Sequence, residues 1–221
     1  YPLKYMVSVF VAIGVFCLTS IPDASQAQSS SQPLVIPKIK DSIKLDGRST
    51  ESAWDQAKEL SLVQQRPDFG EKPTEKTDVL IGYTSEALYM AARCYDRSEP
   101  SVPSFKRDYA LLDSDLVGLL LDTFNDNENA LVFATNPAGL RTDIAISEDA
   151  TGQNPLDMDW NTFWQVEVHQ NAEGWFVEMR IPISSLRFDT SESGRVIMGL
   201  NTIRFLSRNN EFDIFPNTQP K

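Results

Sequence analysis

The stretch LDTFNDNENALVFATNPAGLRTD, residues 121–143, decides the fold. An apolar segment gives way to the oxygen-rich turn NDNEN, then to a second apolar segment, ALVFAT, and then to the turn NPAG. The apolar segments are too short for ordinary helices, and Asn, Asp, Pro and Gly are the residues that reverse a chain. Two consecutive β-hairpins explain the spacing. The oxygen in DTFNDNEN has two readings. Either Asx side chains bond their own backbone, or Asp122, Asp126 and Glu128, with carbonyl groups of Asn125 and Asn127, hold Ca²⁺, which prefers hard oxygen ligands. The glycine of an EF-hand loop is absent.

Outward from this stretch the dominant period is two. In ALYMAARCYD, Leu88, Met90, Ala92 and Cys94 share one face, and Tyr89, Arg93 and Tyr95 the other. DVLIGYT, FWQVEVHQ and GWFVEMRIP alternate in the same way, with Trp164, Val166 and Val168 and then Trp175, Val177, Met179 and Ile181 inward. DLVGLLLDTF and NALVFATN are nearly continuous apolar runs, as central strands are, and RVIMGLNTIRFL closes the series. One short helix is expected at STESAWDQAKEL, capped by Ser49 or Thr50, with Trp54 and Ala57 packed on a sheet. ISSLRF, after Pro182, is expected to be a single turn. The sum is an all-β chain of about nine or ten antiparallel strands, a jelly-roll-like β-sandwich.

The chain has 221 residues. Residues 1–27 have the layout of a secretory signal: Lys4, an apolar run from Met6 to Ile21, and small residues Ser25 and Ala27 before Gln28. The run is short for a membrane span of about 20 residues, which leaves a retained anchor as the alternative. QSSSQP, residues 28–33, reads as a linker. Residues 34–216 are the size of one domain, and 217–221 read as the start of a linker to a further C-terminal region. Export places the domain in the periplasm, at the outer membrane or outside the cell. Without Cys17 of the signal, Cys94 is the only cysteine, on the apolar register of its strand. The net charge of −11 repels phosphate backbones and argues against nucleic acid as a partner. A neutral or cationic ligand is compatible with it.

Catalytic parts are scarce. The one histidine, His169, lies on the polar register of its strand. No nucleophile elbow, phosphate loop or zinc-spaced Cys/His cluster is present. A glycosidase would require two carboxylates about 5 to 10 Å apart across a cleft. Binding groups are easier to find. Arg107 and Asp108 stand side by side in FKRDYALLDSD, able to grip neighbouring sugar hydroxyls or to form a surface ion pair. Trp160 in DMDWNTFW either stacks on a sugar ring or plugs the end of the sandwich. RNNEFDIFPN gathers Arg208, Glu211, Phe212 and Phe215 after the last strong strand.

Taken in order, IKLDGRSTESAWDQAKEL, TDVLIGYTSEALYMAARCYD, DSDLVGLLLDTF, ALVFATNPAG, GWFVEMRIPISSLRF and MGLNTIRFLSRNNE resemble family 9 carbohydrate-binding modules, over Ile39 to Phe215. The likeness is to the subgroup at the front of large exported bacterial proteins with a C-terminal membrane β-barrel. It implies a β-sandwich, binding of oligo- or polysaccharide without catalysis, and structural calcium in some members. The family's tryptophan clamp falls on Leu112 and Phe215 here, and an acidic ligand position falls near Gly118. The expected sugar contacts are Arg107, Asp108, Trp160 and Phe215, and the expected calcium ligands are Asp122, Asp126 and Glu128. Two other functions stay open: a protein-interaction module packed on its own C-terminal barrel, and a glycoside hydrolase component.

Overall fold

The computed structural model describes residues 33–102, 113–152, 155–192 and 194–218. They form two stacked antiparallel sheets, as expected. The five-stranded sheet runs β1 (Lys58–Ser61), β3 (Thr77–Tyr83), β4 (Ala87–Tyr95), β10 (Gly174–Pro182), β9 (Gln165–Asn171). The seven-stranded sheet runs β2 (Val63–Arg66), β12 (Glu211–Phe215), β11 (Gly199–Leu206), β5 (Leu116–Asp122), β6 (Ala130–Thr135), β7 (Arg141–Ile146), β8 (Leu156–Asp157). The opening stretch is the pair of hairpins β5–β6–β7, in register from Val117↔Thr135 and Thr135↔Arg141.

Alternation fills the space between the sheets. Met90, Ala92 and Cys94 of β4 and Trp175, Val177, Met179 and Ile181 of β10 meet Val117, Leu119, Leu121 and Phe133 of the opposite sheet. The central strand β5 is buried along its whole length, because its other face is covered as well. On that outer face Leu116, Leu120, Val132, Ala134, Ile144, Ile203, Phe205, Phe212 and Ile214 form a second apolar cluster.

The expected helix is smaller than its sequence implies. A single 3₁₀ segment, Ser52–Gln56, is followed at once by β1, so Lys58 to Leu60 are strand rather than helix. Neither Ser49 nor Thr50 caps it; Glu51 is the first flanking residue and makes no side-chain cap. Ser49 has another task, accepting a hydrogen bond from Arg93 Nε at its hydroxyl. The helix yields because Leu60 gains more in the core, paired with Val79, than in another helical turn. Trp54 and Ala57 do pack on the sheet, against Ala87, Tyr89 and Ala91. The turn expected at ISSLRF is the 3₁₀ segment Ile183–Ser185.

Glu178 fixes this corner. Its carboxylate is fully buried and accepts hydrogen bonds from the backbone N–H groups of Asp46, Gly47 and Ser49 and from Trp54 Nε1, at 2.7 to 3.1 Å. Burial pushes its pKa up against the pull of these donors. Gly47 sits at φ +76°, and a Cβ there would lie 2.6 Å from the backbone nitrogen of His169.

The two ends of the sandwich differ. One is closed by charge: Arg204, fully buried, donates to the carbonyl groups of Lys76 and Tyr95 and pairs with Asp96 at 3.4 Å. Arg208 bridges Asp96 and Glu75 beside it. The other end carries the turns after β3, β5 and β10 and is open.

Candidate functional site

The open end is built from three pinned backbones. The first is the crossing from β8 to β9. Thr162 N donates to Asp143 Oδ2 at 2.9 Å, Ser185 Oγ donates to the Phe163 carbonyl at 2.6 Å, and Arg141 Nη1 donates to the Trp164 carbonyl at 2.8 Å. Extended backbone alternates its side chains, so Trp164 points inward and is fully buried while Phe163 points out, 63% exposed.

The second is the DTFNDNEN turn. Asp122 Oδ1 and Oδ2 accept from the backbone N–H groups of Asp126 and Asn127. Asp126 Oδ1 accepts from Glu128 N and Asn129 N, both at 2.8 Å, and Oδ2 from Asn129 Nδ2. Desolvation is the largest single influence on the Asp126 carboxyl and raises it, but the bonds from Asn129 and Glu128 together outweigh it and hold the group below the usual carboxylate range. They also stabilise left-handed backbone at Asn125 and Asn127, where Asn is tolerated. The turn's oxygen is thus spent on the turn itself. Asp122, Asp126 and Glu128 do not converge on a common point; among the described residues no group of three His, Cys, Asp or Glu side chains is placed to hold a metal ion. The donor set fits an Asx-bonded reversal and does not fit a six- to eight-oxygen calcium cage. Residues 124–129 of the turn are all exposed, and among them is one large apolar side chain, Phe124, 46% exposed.

The third is the end of β10. Arg180 donates from Nε to Tyr89 Oη and from Nη1 to Gln165 Oε1, and pairs with Glu86 at 3.5 Å. Ile183 N donates to the Glu86 carbonyl, which docks the 3₁₀ segment on the β3–β4 turn. Together these elements enclose a shallow, open basin of about 1070 Å³, lined by Phe124, Phe163, Glu86, Arg180, Ser184 and Arg187 among others. Glu86 is its one carboxylate and is paired with Arg180, so two opposed acids of the glycosidase kind are not assembled there.

The residues singled out from sequence are dispersed. Trp160 lies between β8 and β9, half-buried, with its ring edge-on to Phe133 at 6.0 Å. Trp164 meets the same ring at 5.6 Å, so the two indoles fill one side of the sandwich. Phe215 ends β12, opposite Thr202, and packs half-buried against the core. Arg107, Asp108 and Leu112 lie outside the described residues. Residues 1–27 are outside them too. Gly118 stands beside Ala134, where an added Cβ would lie 3.0 Å from the alanine methyl group. Ala134 belongs to the outer apolar cluster, which offers no sugar hydroxyl a partner.

Phe163, Phe124, Arg180 and Glu86 were not among the residues expected from sequence. Two signals were present: Phe163 is one residue out of phase with core Trp164, and Phe124 is a large apolar residue inside a polar turn.

The fold is that of family 9 carbohydrate-binding modules. A module of this family from Caldicellulosiruptor kristjanssonii, solved in complex with cellotriose, is 16% identical and superposes with a TM-score of 0.53 over 79% of this chain and 78% of that one. Its complex with glucose gives 0.54, again at 16% identity, over 82% and 85%. A candidate carbohydrate-binding protein of Bacteroides uniformis reaches 0.62 at 14% identity, over 83% and 88%. No protein-family model matches the sequence, and no curated protein is detectably similar to it.

Proposed function

We propose that this protein binds carbohydrate without breaking a bond, as an exported module of a larger cell-envelope protein. The observation that carries the reading is the shared architecture with modules whose structures hold glucose and cellotriose. Binding of this kind needs an aromatic face for the apolar side of a pyranose and directed donors and acceptors for its hydroxyls. The signal-like residues 1–27 support export, the linker-like residues 217–221 support a further C-terminal region in the same chain, and the family resemblance alone suggests that this region is a membrane β-barrel. Trp160, Arg107 and Asp108, read from their own chemistry, and Phe215, at a clamp position of the family likeness, are the contacts the sequence offers.

Calorimetric titration of the purified protein with soluble cello-, xylo- and chito-oligosaccharides tests the reading. Saturable heat with at least one series is the expected result. A folded protein that gives no heat with any of them overturns it and favours a module that docks on its own C-terminal region. Trp160→Ala tests the contact set within a positive result.

A further inference from the structure

We infer that the basin at the open end is a glycan groove for internal segments of a polysaccharide chain, with Phe163 and Phe124 as stacking platforms and Arg180, Ser184 and Arg187 as hydrogen-bond donors. The inference rests on the carbohydrate-binding reading above and adds a place and a mode.

Isolated exposed apolar side chains are ordinary on a protein surface; clustered ones are not. Three phenylalanines are strongly exposed among the described residues, Phe69, Phe124 and Phe163, and two of them line this one basin. Neither is loosely held. The backbone bearing Phe163 is bonded at three successive residues, and that bearing Phe124 is bound by the Asp122 and Asp126 carboxylates. A ring held in place before the ligand arrives loses little conformational freedom on stacking.

The polar groups are arranged to match. Arg180 is oriented by Tyr89, Gln165 and Glu86. Arg187 is exposed and makes no ion pair or hydrogen bond among the described residues, and the Ser184 side chain is also exposed. A guanidinium offers five donors in a fixed fork, suited to adjacent sugar oxygens. Apolar faces with a few convergent polar groups are the general composition of small-molecule sites.

Size and shape set the mode. At about 1070 Å³ the basin lies just above the usual range for such sites, about 300–1,000 Å³, so it has room for more than one pyranose. It is also shallow and open rather than a closed slot. An open basin of this kind does not demand a free chain end.

The experiment compares cello-, xylo- and chitohexaose with their borohydride-reduced forms, by calorimetry, on the purified protein and its Phe163→Ala, Phe124→Ala, Phe163→Tyr and Trp160→Ala variants. Thermal melts establish that each variant is folded. Expected are equal affinities for at least one hexaose and its reduced form, a loss of about tenfold in each Phe→Ala variant, and recovery in Phe163→Tyr. Sugar binding that persists at full strength in both Phe→Ala variants, or is lost only in Trp160→Ala, overturns the groove and leaves the carbohydrate reading intact. Failure of the reduced form alone overturns the internal mode in favour of end recognition. No binding of any hexaose by the folded protein overturns the parent reading, and the groove with it.

Discussion

The Glu178 carboxylate accepts the indole N–H of Trp54 at 2.9 Å, joining residues 124 apart in sequence. The same carboxylate holds three backbone N–H groups of the Asp46–Ser49 turn. Glu178→Gln puts an NH₂ group where two donors already point, so two N–H groups lose their acceptor whichever way the amide turns. We expect a loss of about 2–4 kcal/mol, read from urea unfolding. Gly47→Ala should cost a similar amount through a different cause, strain at positive φ and collision with the β9 backbone.

Asp213 gives the fold a pH dependence. Its side chain is fully buried on β12, and neither carboxyl oxygen receives a hydrogen bond. Burial first, then the neighbouring Glu211, push its pKa from 3.8 to about 8, against the pull of Arg204. Between those values the folded chain keeps a proton that the unfolded chain has released. Stability from this group is therefore complete below the unfolded pKa and is lost as pH rises to about 8. Asp213→Asn should flatten this slope and raise stability by about 1–3 kcal/mol near pH 8, measured as urea midpoints across the range.

The hairpin turn should be sensitive to its aspartates and insensitive to calcium. Asp122→Ala frees two backbone N–H groups and should cost about 1–2 kcal/mol. Melting temperatures with calcium and with EDTA should coincide. A calcium-dependent rise in the wild type that disappears in Asp122→Ala would restore the ion to this turn.

Cys94 should be inert. It is fully buried, and burial pushes its thiol up to about 12, so almost no thiolate exists at neutral pH. Its reaction with a thiol reagent should follow global unfolding and share its denaturant midpoint.

The sandwich was legible because burial on one or two faces imposes a period that side chains must obey. Leu88, Met90, Ala92 and Cys94 are inward as their alternation implies, and the hairpins fall at NDNEN and NPAG. The short strands β1, β2 and β8 were not legible, since four residues or fewer carry too little pattern, and β1 in addition overlaps the helix-forming SAWDQAKEL. The basin was hidden for another reason. Its rings come from two connections, the β5–β6 turn and the β8–β9 crossing, and its guanidinium groups from the end of β10 and just after the 3₁₀ segment that follows it, and only the stacking of the sheets brings them together. Trp160, from a loop, and Phe215, at the end of β12, are half-buried, each with part of its ring packed against the core, and sequence alone does not say how far a ring turns inward.

Phe163 and Trp164 are neighbours with opposite duties, and that adjacency makes the surface hard to lose by accident. A shift of one residue in this segment would withdraw the phenyl group and expel the indole, exchanging every side chain across the layer. A misassembled copy of the exposed platform is thus also a copy with a hole in its interior, which unfolds and is degraded. Natural selection for a stable chain would then preserve the exposed phenyl face along with the core.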